Sequence, residues 1–147
     1  MAKNRYIVIR GNAENSTEAI QLCGKALEQA GIVSASFAKG CIERETEYPT
    51  GLPTEIPTAI PHCQDSSVKE NAICVLFPDK PITFRRMDDD EESVDARILF
   101  NLAVMNPDEH LEALQNLMAF LGDTEALEAC LSKTDDELIP YLEEKIG

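Results

Sequence analysis

Six apolar residues in unbroken succession, Ala72-Ile73-Cys74-Val75-Leu76-Phe77, constrain this chain more than any other feature. The run has the length of a strand, shows no polar alternation, and is followed by the turn-forming Pro78-Asp79-Lys80-Pro81. A strand without a polar face must be covered on both sides, as in the middle of a sheet flanked by helices. Arg97–Met105 is a second, mostly apolar stretch and reads as another central strand. At 147 residues the chain can enclose one such core and little more. The expectation is an α/β fold in a single domain over residues 1–147, its helices alternating with short strands.

The remaining elements follow from capping and periodicity. Arg5–Arg10 is a short strand with β-branched Ile7, Val8 and Ile9 in sequence. Asn15 caps a helix with Glu18 three residues on, Ile20, Cys23, Leu27 and Ala30 form its apolar stripe, and Gly31 ends it. A weaker helical pattern runs over Ser34–Glu47, with Phe37, Ala38, Cys41 and Ile42 on one side. Pro49, Pro53, Pro57 and Pro61 make residues 48–61 an ordered loop, with Thr58–His62 entering a strand. Ile82–Arg86 alternates as a strand, and the acids Asp88–Glu92 are solvated. From Asn106, with Pro107 at the first helical position and Glu109 at the capping-box position, the chain is helical to its end. Leu111, Leu114, Leu117, Met118 and Leu121 form the core stripe of the first of these helices, and Gly122 closes it. Two further segments, Asp123–Leu131 and Asp135–Ile146, follow, and Pro140 is expected to interrupt the second.

Charge is unevenly placed. Residues 1–87 carry ten acids and ten bases, whereas residues 88–147 carry seventeen acids and three bases, so the whole formal excess of -14 lies there. Such a surface repels phosphate backbones and anionic lipid, which argues against nucleic-acid or membrane-surface binding. It either attracts a basic protein partner or simply keeps the domain in solution. The cysteines, Cys23, Cys41, Cys63, Cys74 and Cys130, are odd in number and make no C-x-x-C pair, against both a disulfide framework and a zinc ribbon. With no signal-peptide pattern and no membrane-length apolar run, the expected location is the cytoplasm, with thiols reduced. Glycine makes no phosphate-cradling loop and the acidic run lacks the order of a calcium loop, so neither nucleotide hydrolysis nor a metal or other cofactor is expected.

Two histidines remain as candidates for chemistry. His62 lies in Ala59-Ile60-Pro61-His62-Cys63. Pro61 biases Ile60 towards an extended backbone, which would hold His62 stiffly at the rim of the sheet, as a nucleophile requires. His110 lies in the first turn of the helix opened by Asn106, where a neutral imidazole beside a bound phosphate is physically sensible. Packing at the helix edge would account for His110 equally well.

Taken in order, Arg44-Glu45, Tyr48-Pro49-Thr50-Gly51 and Ala59-Ile60-Pro61-His62-Cys63 resemble the fructose/mannitol-type enzyme IIA domains of the bacterial sugar phosphotransferase system. The likeness extends to the leading strand and helix, the apolar strand, the acidic run and Glu109-His110-Leu111, and the His-Cys ending looks closest to the galactitol-specific subgroup. It implies a mixed β-sheet flanked by helices on both faces. It also implies that His62 accepts a phosphoryl group from phospho-HPr and passes it to a cysteine of a cognate enzyme IIB, serving a membrane IIC subunit indirectly. Arg44 matches the family arginine near that histidine, and His110 matches a second active-site histidine of many members. The sequence departs from the pattern at Pro57-Thr58, where many members carry Gly. Two other readings stay compatible with the chain: a regulatory module of the same fold that signals through protein contacts, and an acidic α/β domain whose histidines are structural.

Overall fold

The computed structural model describes residues 4–147, apart from the side chains of Pro107 and Glu109. Along the chain it runs β1 (Arg5–Gly11), α1 (Ser16–Gln29), α2 (Ala35–Glu47), β2 (Gly51–Leu52), β3 (Thr58–Ala59), β4 (Ala72–Pro78), β5 (Ile82–Arg85), β6 (Ser93–Ala96), β7 (Ile98–Ala103), α3 (Pro107–Leu121), α4 (Thr124–Ser132) and α5 (Asp135–Lys145). The five-stranded sheet has the order β1-β4-β7-β3-β2. Pairing is parallel for β1 with β4 and for β3 with β7, and antiparallel for β4 with β7 and for β2 with β3. The sheet is therefore mixed.

The fully apolar β4 lies inside this sheet, as its sequence demands, and every residue from Ala72 to Phe77 is buried. Successive side chains point to opposite faces of a strand. Ile73, Val75 and Phe77 accordingly join Phe100 and Leu102 in a core closed by Leu117 and Phe120 of α3, Leu127 of α4 and Leu138 and Leu142 of α5. Cys74 and Leu76 face the other way and join Leu99 and Ala103 with Cys23 and Leu27 of α1 and Phe37 and Cys41 of α2. Each fully buried aliphatic side chain contributes about 1.5–3 kcal/mol, and the two cores together fix which face each helix covers.

Several local expectations change in the structure. The loop over residues 48–61 contains the short pair β2–β3, and the stretch before Ile98 forms β6, which pairs with β5 as a separate hairpin. The departure at Pro57-Thr58 is absorbed into the sheet, with Thr58 wholly buried in β3 and the Pro57 carbonyl accepting from Arg97 N at 2.8 Å. Helix α5 continues through Pro140, because Asp136, whose carbonyl loses its helical partner there, lies on the exposed side. The stripe of α3 is narrower than its periodicity predicts. Leu117 and Leu121 are buried, but Leu111 and Met118 are 58% and 39% exposed, because the helix edge bearing them has no covering element. The capping-box role expected for Glu109 lies outside the described residues. Among those residues no helix is long and apolar enough to cross a membrane.

Candidate active site

Backbone pairing fixes the position of His62 before its side chain does anything. Just beyond β3 the chain keeps its parallel course beside β7, and Leu102 N donates to the Pro61 carbonyl at 3.1 Å. The same carbonyl accepts from Asn101 Nδ2 at 3.1 Å. On the other side Ile60 N donates to the Thr50 carbonyl at 3.2 Å. Pro61 has no N–H to satisfy, so these bonds tie the segment to its neighbours on both sides.

The ring is then oriented by one short bond, from Nδ1 to the Ile60 carbonyl at 2.6 Å. A carbonyl only accepts, so Nδ1 holds the proton and Nε2 is left as a bare lone pair. His62 does not stand at the rim of the sheet but deeper, 3% exposed, where it forms part of the wall of an open cleft of about 550 Å³. The depth follows from the strand-like pairing of Pro61 and His62 with β7. Burial lowers the pKa of His62 from 6.5 to about 4, and the nearby His110 and Arg44 act in the same direction against the Ile60 bond. The imidazole is consequently neutral at neutral pH.

His110 and Arg44 converge on this ring from different elements. The His110 ring centroid is 5.0 Å from that of His62, with the planes inclined at 50°. His110 is half-buried, and burial followed by the charge of Arg44 lowers its pKa as well. Its Nδ1 is buried and has no hydrogen-bond partner among the described residues. Arg44 occupies the last turn of α2, lies over the Tyr48 ring at 5.1 Å from guanidinium carbon to centroid, and lines the same cleft as His62. All three residues predicted from the sequence are thus brought together.

Several supporting groups escaped the sequence reading. Glu45 is buried beside Arg44, and its carboxylate accepts from Thr50 N at 2.8 Å and from Thr50 Oγ1 at 2.7 Å. These bonds clamp the Pro49-Thr50-Gly51 turn onto α2, while burial raises the carboxyl's pKa against them. Gly51 is required there, because a Cβ at that position would lie 2.6 Å from the Arg85 carbonyl. Arg85 in turn donates to the Glu45 and Thr46 carbonyls at the end of α2. The adjacency of Arg44-Glu45 to Pro49-Thr50-Gly51 was the available signal for this clamp; nothing in the sequence signalled Asn101. The acids of the β5–β6 loop are solvated as expected, but Asp88, Asp89 and Asp90 also line the cleft. Among the described residues no group of three or more His, Cys, Asp or Glu is arranged to hold a metal ion.

A neutral nucleophilic nitrogen, a permanent cation and a second neutral imidazole around an open cleft can take up and release an electrophilic group carried on an anion. Comparison with known proteins agrees with that chemistry. Residues 1–145 match the family model described as "Phosphoenolpyruvate-dependent sugar phosphotransferase system, EIIA 2". The chain is 29% identical over 126 residues to the galactitol-specific EIIA component of Escherichia coli strain K12, covering 85% of this chain and 83% of that protein. It is 30% identical over 147 residues to the mannitol-specific enzyme IIA component of Geobacillus stearothermophilus, covering 97% and 94%. Its fold superposes on enzyme IIAMTL of Escherichia coli, solved in complex with phosphorylated enzyme IIBMTL, with a TM-score of 0.72 at 24% identity, covering 97% of this chain and 95% of that one. The chain belongs to the type 2 enzyme IIA family of the sugar phosphotransferase system, phosphotransferases that work through a phosphohistidine and pass the phosphoryl group to an enzyme IIB.

Proposed function

We propose that His62 is the residue phosphorylated, that HPr is the donor, and that a cysteine of a cognate enzyme IIB serving uptake of a galactitol-like sugar alcohol is the acceptor. One observation carries the assignment: the Nδ1 bond to the Ile60 carbonyl leaves Nε2 of His62 unprotonated, and His62 and Arg44 line the same cleft. The Nε2 lone pair forms the new N–P bond as the donor's N–P bond breaks, and the ring gains positive charge. The Ile60 carbonyl, already accepting from Nδ1, stabilises that charge. Arg44 supplies a planar, permanently charged fork for the equatorial phosphoryl oxygens, the part of a loose transition state that most needs a cation. His110, neutral, offers a hydrogen-bonding ring nitrogen without repelling the incipient imidazolium. In the second transfer the cysteine sulfur attacks phosphorus and the N–P electron pair returns to Nε2.

The acids at residues 88–90 favour approach by a partner whose docking face is basic. The galactitol-type acceptor is supported by the His62-Cys63 ending and by the likeness to the galactitol-specific relative. A cytoplasmic location, with the membrane IIC subunit reached only through IIB, follows from the same reading. The test is incubation with phosphoenolpyruvate, enzyme I and HPr, then with galactitol-type and mannitol-type IIB proteins. One acid-labile phosphate should load, vanish in His62→Ala, and leave for the galactitol-type IIB. Loading of His62→Ala refutes the site, and discharge to the mannitol-type IIB alone refutes the sugar class.

A further inference from the structure

The five cysteines are all free thiols and all buried, and four of them form two neighbouring pairs. Cys23 on α1 neighbours Cys74 on β4, and neither has any exposed surface. Cys41 on α2 stands 3.5 Å, sulfur to sulfur, from Cys63, which follows His62 and keeps 6% of its surface. No transfer step uses either pair.

The second pair has the features of a reactive dithiol. Cys41 donates its thiol proton to the Cys63 sulfur, and Cys63 also lies 3.5 Å from the Phe37 carbonyl. Acceptance of that bond holds the Cys63 thiol below its ordinary pKa against burial and the charges of Asp65 and Glu43, with Arg44 acting in the same sense as the bond, while the Cys41 thiol is pushed up. Gly40 permits this contact: a Cβ there would lie 3.0 Å from the Cys63 sulfur.

We propose that Cys41 and Cys63 are a peroxide-oxidisable pair whose reversible disulfide slows phosphoryl acceptance at the active site. Cys63 thiolate attacks one peroxide oxygen, the O–O bond breaks, and the departing hydroxide takes up the proton that Cys63 released on ionising and leaves as water. The resulting sulfenic acid is attacked by the Cys41 sulfur, the S–O bond breaks, and a second water leaves. Peroxide is reduced by two electrons and the dithiol is oxidised by two. Bond formation must bring the sulfurs together by about 1.5 Å, since a disulfide spans only ~2.05 Å. The cross-link ties α2, one turn before Arg44, to the residue after His62, so that movement is imposed on the two groups whose mutual placement sets transfer. Cytosolic disulfides are characteristically transient and redox-sensing, in keeping with this position.

The chemical half of the proposal stands without the assigned function; the consequence for transfer rests on His62 being the phosphoryl acceptor. The experiment treats the full chain with hydrogen peroxide, then maps tryptic peptides and measures phosphorylation by HPr before and after dithiothreitol. Residues 40–44 should become linked to residues 45–69, while the peptides 11–25 and 70–85, which hold Cys23 and Cys74, stay unlinked. Phosphorylation should fall at least about tenfold and recover on reduction, because transfer geometry tolerates little displacement. The variants C41S and C63S should each load phosphate when untreated and lose the peroxide sensitivity. Absence of the 40–44/45–69 link, or an unchanged rate once it has formed, overturns the proposal. A reduced wild-type protein that takes no phosphate refutes the assigned function instead, and the mass map then judges the dithiol alone.

Discussion

The two histidines face each other at 5.0 Å yet are held in opposite ways. His62 belongs to the sheet: the carbonyl before it accepts from Leu102 and Asn101, and its own ring donates to a carbonyl two residues back. His110 belongs to a helix start, with its backbone N–H donating to Asn106 at 2.9 Å and a ring nitrogen that has no partner among the described residues. A ring locked in one tautomer is suited to attack. One with an uncommitted nitrogen is suited to accommodate a group that arrives and departs. Burial keeps both neutral, so their difference lies in positional freedom rather than charge.

The largest expected effect separates them outright. His62→Ala should abolish labelling from phosphorylated HPr, measured by acid-labile phosphate; if His110→Ala abolishes it and His62→Ala does not, the assignment is reversed. Next comes the cation both rings sense. Arg44→Ala should lower the transfer rate by about 10²–10³-fold, as loss of a preorganised transition-state donor does, with Arg44→Lys intermediate because the fork is lost but the charge kept. Single-turnover rates decide, and a rate within twofold of wild type would remove Arg44 from the site.

Acid stability isolates the locked ring. The folded state resists protonating His62 down to about pH 4, whereas the unfolded chain accepts the proton near 6.5. Stability linked to the neutral ring is therefore fully present above pH 6.5 and is lost as pH falls towards 4, by on the order of 3 kcal/mol. Denaturant midpoints across that window should be flatter for His62→Gln than for wild type. Parallel profiles would show that burial does not hold the proton off. The smallest effect concerns the looser ring: His110→Ala should slow loading by about tenfold without preventing it, within the range of a single positioned hydrogen bond.

Much of this architecture can be read from local signals. Asn15 caps α1 through Glu18 N at 2.9 Å, as its spacing predicts, because such a cap depends on residues only three apart. β2 and β6 gave no such signal. Each is too short or too polar to show a strand pattern of its own and exists because its neighbouring strand offers it partners, Gly51 and Leu52 through Ala59 and Thr58, and Ser93–Ala96 through β5. Likewise the exposure of Leu111 reflects where neighbouring elements stop, which helical spacing does not record.

For the site the division is similar. Residue types and their order along the chain determined the family, the covered central strand and the candidates His62, Arg44 and His110, since those depend on chemistry and local geometry. Tertiary structure alone decided that Nδ1 of His62 is committed to Ile60, that Glu45 clamps Thr50, that Asn101 steadies Pro61, and that Cys41 rests on Cys63. These are contacts whose energy depends on distances of an ångström or less between side chains and backbone atoms placed by other elements, and periodicity along a chain contains no such distances.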